Sequence, residues 1–168
     1  MKVAMLKPML NLGLRALLCI AMISLIGCGF HLRGVADVSF HSLFIQGNTL
    51  TISKNLKKAL LTNGVKVLDS AAGAEMQLEM IGEESEKRIL SLSGNGVVTE
   101  FELYYRVHYR TKPAAAALWS QVQTIEARRD FSYSDANLLA KQGEEKQLND
   151  NMQNDVISGL IRRLSALK

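Results

Sequence analysis

Two cysteines and three histidines are all the thiol and imidazole that 168 residues offer. Hydrolytic and metal centres need His, Cys and carboxylates in clusters. His31, His41 and His108 stand far apart, and neither a His-Glu-x-x-His nor a Cys-x-x-Cys spacing occurs. Glu83, Glu84 and Glu86 lie close in sequence, but a charged strand exposed to water explains them by default. His108 reads in the same way, as a residue on a strand's polar face. Gly94-Asn95-Gly96 is too short for a phosphate loop and lies between strand patterns. The expectation is no enzyme, no metal and no cofactor. Long apolar runs are missing too: residues 16–25 fall short of the about 20 that a membrane span needs, and Asn11 and Arg15 interrupt the run upstream. No repeat or low-complexity segment appears.

What is present begins with Lys2, Lys7 and Arg15, then the short apolar run, then Leu25-Ile26-Gly27-Cys28. A basic start, a hydrophobic core and small residues before a cut make a secretory signal. The residue after the cut is cysteine, which resembles the lipobox of bacterial lipoproteins. The alternative is an uncleaved spanning helix. Removing residues 1–27 leaves 141 residues, the size of one ordinary domain, able to bury roughly two thirds of its unfolded surface. The removed segment holds three of the 20 basic residues and none of the 16 acidic ones, so the net charge falls from +4 to +1. That balance makes no case for nucleic acid. Cys19 leaves with the signal, and a single cysteine in a secreted protein calls for an explanation. Acylation of Cys28 supplies one, as S-diacylglycerol with an N-acyl group. One acyl chain holds a protein only marginally, whereas several, at about 0.8 kcal/mol per buried CH₂, anchor it durably.

Residues 28–42 then read as a lipidated tether and 43–168 as a single domain. Leu43-Phe44-Ile45 ends at Gly47-Asn48, a strand and turn. Ile52, Leu56, Ala59 and Leu60 stripe a helix closed by Asn63-Gly64, with Thr49, Thr51 and Ser53 each available as N-cap. Val65, Val67 and Leu68 complete a β-α-β unit. Met76, Leu78 and Met80 alternate as a strand, a charged stretch 83–88 follows, and Leu90 and Leu92 resume the same parity before the Asn95-Gly96 hairpin turn. A strand running past the sheet or a bulge near Gly82 would each explain the interruption. Phe101, Leu103, Tyr105, Val107 and Tyr109 alternate with polar residues in the clearest strand of the chain. Pro113 and the alanines 114–117 make a turn, and 118–131 forms a further strand. Leu148, Met152, Val156, Ile157, Leu160, Ile161, Leu164 and Leu167 stripe a long C-terminal helix, with Glu144 and Glu145 early and Arg162 and Arg163 late, as the helix dipole favours. The fold class is α+β, a two-layer sandwich: one mostly antiparallel sheet of about four strands with two helices packed on one face.

The meander supplies Arg88, Arg106, Arg110, Lys112, Arg128 and Arg129, with tyrosines among them. A solvated sheet face explains them one by one, and a hairpin centred on Ala115 sets Glu102 opposite Arg128 as an ordinary pair. An anion site is the sharper alternative, since arginine suits bidentate phosphate binding.

Taken together, these features resemble the LptE (RlpB) family of LPS-assembly lipoproteins. The resemblance starts at Cys28-Gly29-Phe30-His31-Leu32-Arg33 and continues through Leu60-Leu61-Thr62-Asn63-Gly64-Val65, the Asn95-Gly96 turn, Leu139-Ala140-Lys141 and Leu160-Ile161-Arg162-Arg163-Leu164. It implies an outer-membrane lipoprotein, lipid-anchored and facing the periplasm. Its partner would be the LptD β-barrel, in which it sits as a plug, and together they place lipopolysaccharide in the outer leaflet. Gly29, rather than aspartate, agrees with outer-membrane sorting. The resemblance also implies lipopolysaccharide binding through basic residues, one of which matches Lys141. A second family arginine precedes the Asn-Gly turn, where this chain has Gly94; Arg88 is the nearby substitute, and Arg106 and Arg110 complete the candidate set. The alternative function is a generic binding or scaffold module of the envelope.

Overall fold

The computed structural model describes residues 38–167. Its strands are β1 (Ser42–Gly47), β2 (Lys66–Leu68), β3 (Met76–Leu92), β4 (Val98–Pro113) and β5 (Gln123–Ser132); its helices are α1 (Ser53–Thr62) and α2 (Leu138–Ser165), the latter preceded by a 3₁₀ turn at Asp135–Asn137. They form one sheet in the order β2-β1-β3-β4-β5. Five strands replace the expected four or so, because the short β2 is a full member. The sheet is mixed: β1 runs parallel to both β2 and β3, while β3-β4 and β4-β5 are longer antiparallel ladders.

β4 alternates as its sequence demands. Leu103, Tyr105, Val107 and Tyr109 are buried against the helices, and the intervening side chains lie on the open face. Leu56 and Leu60 of α1, Met152, Val156, Leu160 and Leu164 of α2, and Leu43, Leu78 and Met80 of the sheet belong to the same core. Each fully buried leucine contributes about 2 kcal/mol. Val38 and Phe40, from the stretch expected as tether, are also buried there.

Helix ends show how local chemistry sets the boundaries. α1 closes in a Schellman arrangement, in which Val65 N–H donates to Leu60 O and Gly64 N–H to Leu61 O, each at 3.0 Å. Gly64 takes a φ of +78°, the conformation glycine adopts freely. At the other end Ile52 occupies the N-cap, with no side-chain cap. None of the three expected caps acts there: Ser53 Oγ instead accepts the Leu50 N–H at 2.8 Å. α2 starts at Leu138, about three turns before the apolar stripe, so Glu144 and Glu145 lie outside its first turn; Arg162 and Arg163 do occupy the last. No helix among the described residues is long and apolar enough to cross a membrane.

Candidate functional site

β3 and β4 carry most of the candidate residues, and two irregularities decide which way they point. The register passes from Met80↔Tyr109 to Gly82↔His108, so Ile81 is an extra residue on β3. Beyond it the helix-facing positions become Glu83, Ser85 and Lys87, which pair with Val107, Tyr105 and Leu103. The expected parity, in which Leu90 and Leu92 continue the face of Met76, therefore fails. A second slip at Leu90 leaves Ile89, Leu90 and Leu92 exposed.

The charged stretch thus serves both sides of the sheet. On the helix side, Glu83 accepts the N–H and the hydroxyl of Thr51, both at 2.7 Å, and the Tyr105 hydroxyl. Lys87 Nζ reaches Glu145 of α2 at 2.6 Å and sits 4.2 Å above the Phe101 ring. On the open side, Glu86 holds the Arg88 guanidinium in a fork at 2.6 and 2.7 Å. Arg106 bridges Glu126 at 2.5 Å and Glu86 at 3.2 Å. These hydrogen bonds hold the Arg88 and Arg106 guanidiniums above, and the Glu86 carboxyl below, their ordinary pKa values. Tyr104 lies among them, its ring 4.7 Å from both the Arg88 and the Arg106 guanidinium carbons. Its hydroxyl donates to Glu102 at 2.5 Å, which pushes the Tyr104 pKa up. Glu102 is buried under Arg128, 2.5 Å away. That pair forms diagonally, because Glu102 faces Asp130 and the β4-β5 turn centres on Ala116 rather than Ala115.

The four candidate cations do not converge. Arg88 and Arg106 share the Tyr104 platform. Arg110 stands farther along β4, paired with Glu79 and 5.1 Å over Trp119. Lys141 belongs to the first turns of α2, with Nζ 2.7 Å from Glu144 and 3.0 Å from Ser132 Oγ. His108 contacts Thr124 and Glu84. Glu83 points to the helices, whereas Glu84 and Glu86 share the open face, where Arg106 pairs with both at 3.9 and 3.2 Å. Among the described residues no cluster of His, Cys, Asp and Glu could hold a metal. Cys28 and the rest of the expected anchor lie outside the described residues.

One feature of this end escaped the sequence reading. Ser132 faces Glu100 and Lys141 reaches Ser132, so α2 begins beside the β3-β4 tip. There Ile89, Leu90, Leu92 and Val97 of the hairpin and Leu138 and Leu139 of α2 are all exposed, Leu139 at 84%. The signal was the apolar residues flanking Gly94-Asn95-Gly96, where a turn exposed to water is normally polar.

Comparison with known proteins gives consistent matches. A family model described as LptE, Lipopolysaccharide-assembly, matches residues 40–164. The LPS-assembly lipoprotein LptE of Yersinia pestis (strain Pestoides F) is 25% identical over 156 residues, covering 90% of this chain and 74% of the relative. Among solved structures, an uncharacterized lipoprotein B from Nitrosomonas europaea superposes with a TM-score of 0.72 at 38% identity, covering 82% of this chain and 91% of that one. The rare lipoprotein B from Shewanella oneidensis gives 0.67 at 25% identity, with 74% and 94% covered.

Proposed function

Because this chain belongs to the LptE lipopolysaccharide-assembly family, we propose that it is an outer-membrane lipoprotein, acylated at Cys28, that plugs the LptD β-barrel and binds lipopolysaccharide. It is a lipoprotein of the lipopolysaccharide-assembly system in the Gram-negative envelope, and not an enzyme. The observation that carries the finer reading is the hairpin end of the domain. An ammonium, Lys141, stands beside six exposed apolar side chains of the β3-β4 tip and α2. Lipopolysaccharide offers the complement, phosphates next to acyl chains. Arg88, half exposed on the same hairpin, is the second candidate contact. All four candidates are paired with carboxylates, so position separates them: Arg106 and Arg110 stand on the open face away from the apolar tip and fit better as part of a polar wall. The open face of the sheet is a lattice of matched charges, and such a surface suits a water-lined barrel lumen, where polar side chains are tolerated.

Mild-detergent extraction of the full chain tests the reading. A barrel protein in one-to-one ratio, carrying lipopolysaccharide with it, is the expected result. A chain that extracts alone, with small ligands and no barrel, favours the generic binding module instead.

A further inference from the structure

Arg162 and Arg163 take no part in the hairpin end. They stand in the last turn of α2, where the helix packs on β5. A cleft of about 440 Å³ runs between the two elements, floored by Ile125, Ala127 and Gly159 and walled by Arg129, Arg162 and Arg163. Gly159 makes the room. A Cβ there would lie 3.6 Å from Arg162 Nη2, so this guanidinium folds back over the glycine. The helix dipole favours cations in a last turn, but it does not require two of them to line one cleft.

The charges around the cleft are unequally matched. Arg129 is neutralised by Asp155 and also donates to Arg128 O at 2.7 Å. Glu126 and Arg128 are turned to the open face, where Arg106 and Glu102 hold them, each at 2.5 Å. Arg163 Nη1 donates to a backbone carbonyl, Thr124 O, at 2.8 Å. Among the described residues neither Arg162 nor Arg163 is paired with a carboxylate. The cleft therefore keeps two positive charges in excess. It also borders an open strand, since β5 is the edge of the sheet. Tyr133 N–H donates to Thr99 O, so in this register the odd-numbered residues of β5 bond to β4 and the even-numbered ones direct N–H and C=O outward. Arg163 and Arg129 cover the outward carbonyls of Thr124 and Arg128. The Glu126 peptide groups lie between them and bond to no described residue.

We infer that this cleft receives an acidic, extended segment of the barrel partner, with a carboxylate between the Arg162 and Arg163 guanidiniums and main chain beside Glu126 at the β5 edge. The inference rests on the proposed barrel partnership and names where on this chain it is made. Guanidiniums suit a carboxylate through paired N–H donors, and an open strand edge suits an extended peptide. A phosphate fits less well. The end of α2 presents carbonyls rather than N–H groups, so a phosphate would meet no backbone donors there and would leave the Glu126 carbonyl without one. A peptide brings both the negative charge and the N–H.

The test is photocrosslinking in the full chain co-expressed with LptD. The photoreactive residue p-benzoylphenylalanine replaces Asp155, which lines the cleft without supplying a guanidinium. Irradiation is expected to join position 155 to an LptD peptide that contains Asp or Glu. Arg162→Glu with Arg163→Glu should lower that yield at least fivefold, and changing the captured carboxylate of LptD to arginine should restore it. LptD that co-purifies but gives no adduct overturns the inference and leaves the plug reading intact. So does an adduct with lipopolysaccharide, an adduct with an LptD segment lacking carboxylates, or a yield indifferent to the double variant. A chain that brings no LptD with it even when unsubstituted overturns both readings. Should the charge-reversed variant misfold by circular dichroism, Arg162→Gln with Arg163→Gln removes the charges without reversing them and should lower the yield at least threefold.

Discussion

Glu83 accepts hydrogen bonds from Thr51, in the loop before α1, and from Tyr105 on β4, so one carboxylate ties the helix layer to the sheet. Burial pushes its pKa up, and the hydrogen bonds from Thr51 and Tyr105 outweigh that and bring it below the ordinary value. The same pairing, together with burial, pushes the Tyr105 hydroxyl well up. A carboxyl depressed in the folded state stabilises fully above its unfolded pKa, about 4.3, and loses that contribution as pH falls through the folded value. Glu83→Ala should therefore cost about 1–3 kcal/mol at pH 7. The gap to the parent should shrink steadily below pH 4, which urea unfolding at pH 7 and pH 3 would measure. A gap of equal size at both would refute the assignment. Gly47 is constrained by backbone instead. Its φ is +92°, and an added Cβ would lie 2.2 Å from Met80 O. Since main chain cannot swing aside, Gly47→Ala is expected to lose at least about 2 kcal/mol, read as a lower urea midpoint with an unchanged m-value.

The strands and helices were legible in the sequence wherever one face is buried. Leu103, Tyr105, Val107 and Tyr109 announced β4, and Leu56 with Leu60 announced α1, because burial on one side imposes a period that side chains record. Three features were less legible. The slip at Ile81 is the bulge expected near Gly82, but the charged stretch 83–88 fitted a strand running past the sheet equally well, so the pattern of 76–92 did not choose between them. The first turns of α2 carry Leu138 and Leu139 outward, so the apolar stripe starts later than the helix does. The β4-β5 register runs from Glu102↔Asp130 to Tyr109↔Gln123, which centres the turn one residue beyond the alanine expected, and four successive alanines offer no side chain that marks the centre. Where α2 crosses β5, Gly159 permits close approach: an added Cβ would meet Ile125 Cδ1 at 2.6 Å. That atom is the tip of a flexible side chain. Alanine gains about 1 kcal/mol of helix propensity, and moving Ile125 offsets it, so Gly159→Ala should change stability by less than about 1 kcal/mol. Gly159→Leu overfills the crossing and should cost about 1–3 kcal/mol. Thermal unfolding of the two variants side by side would check the contrast.

The assembled domain separates its charge from its exposed apolar surface. Matched ion pairs cover the open face of the sheet, and bare leucines and valines gather at the two ends. The basic residues were legible as types but not as a site, since the sequence pattern could not show that all four candidates are held by carboxylates, or that Lys141 and Arg88 belong to the end carrying the exposed leucines while Arg110 does not. This separation makes the proposed lipopolysaccharide binding a local property of the hairpin end. Arg88 faces Glu102 on β4, whereas Arg110 lies eight residues on, about 27 Å away along the strand. Two charge reversals at the hairpin end should each weaken phosphate recognition by about 1 kcal/mol, roughly fivefold in Kd. Lys141→Glu with Arg88→Glu is therefore expected to weaken lipopolysaccharide binding at least tenfold in a direct assay. Arg110→Glu, reversing the same kind of charge at the other end, should change it less than twofold. Unchanged binding in the double variant would remove Lys141 and Arg88 from the site. Equal losses in both variants would show that net charge, rather than the hairpin end, governs recognition.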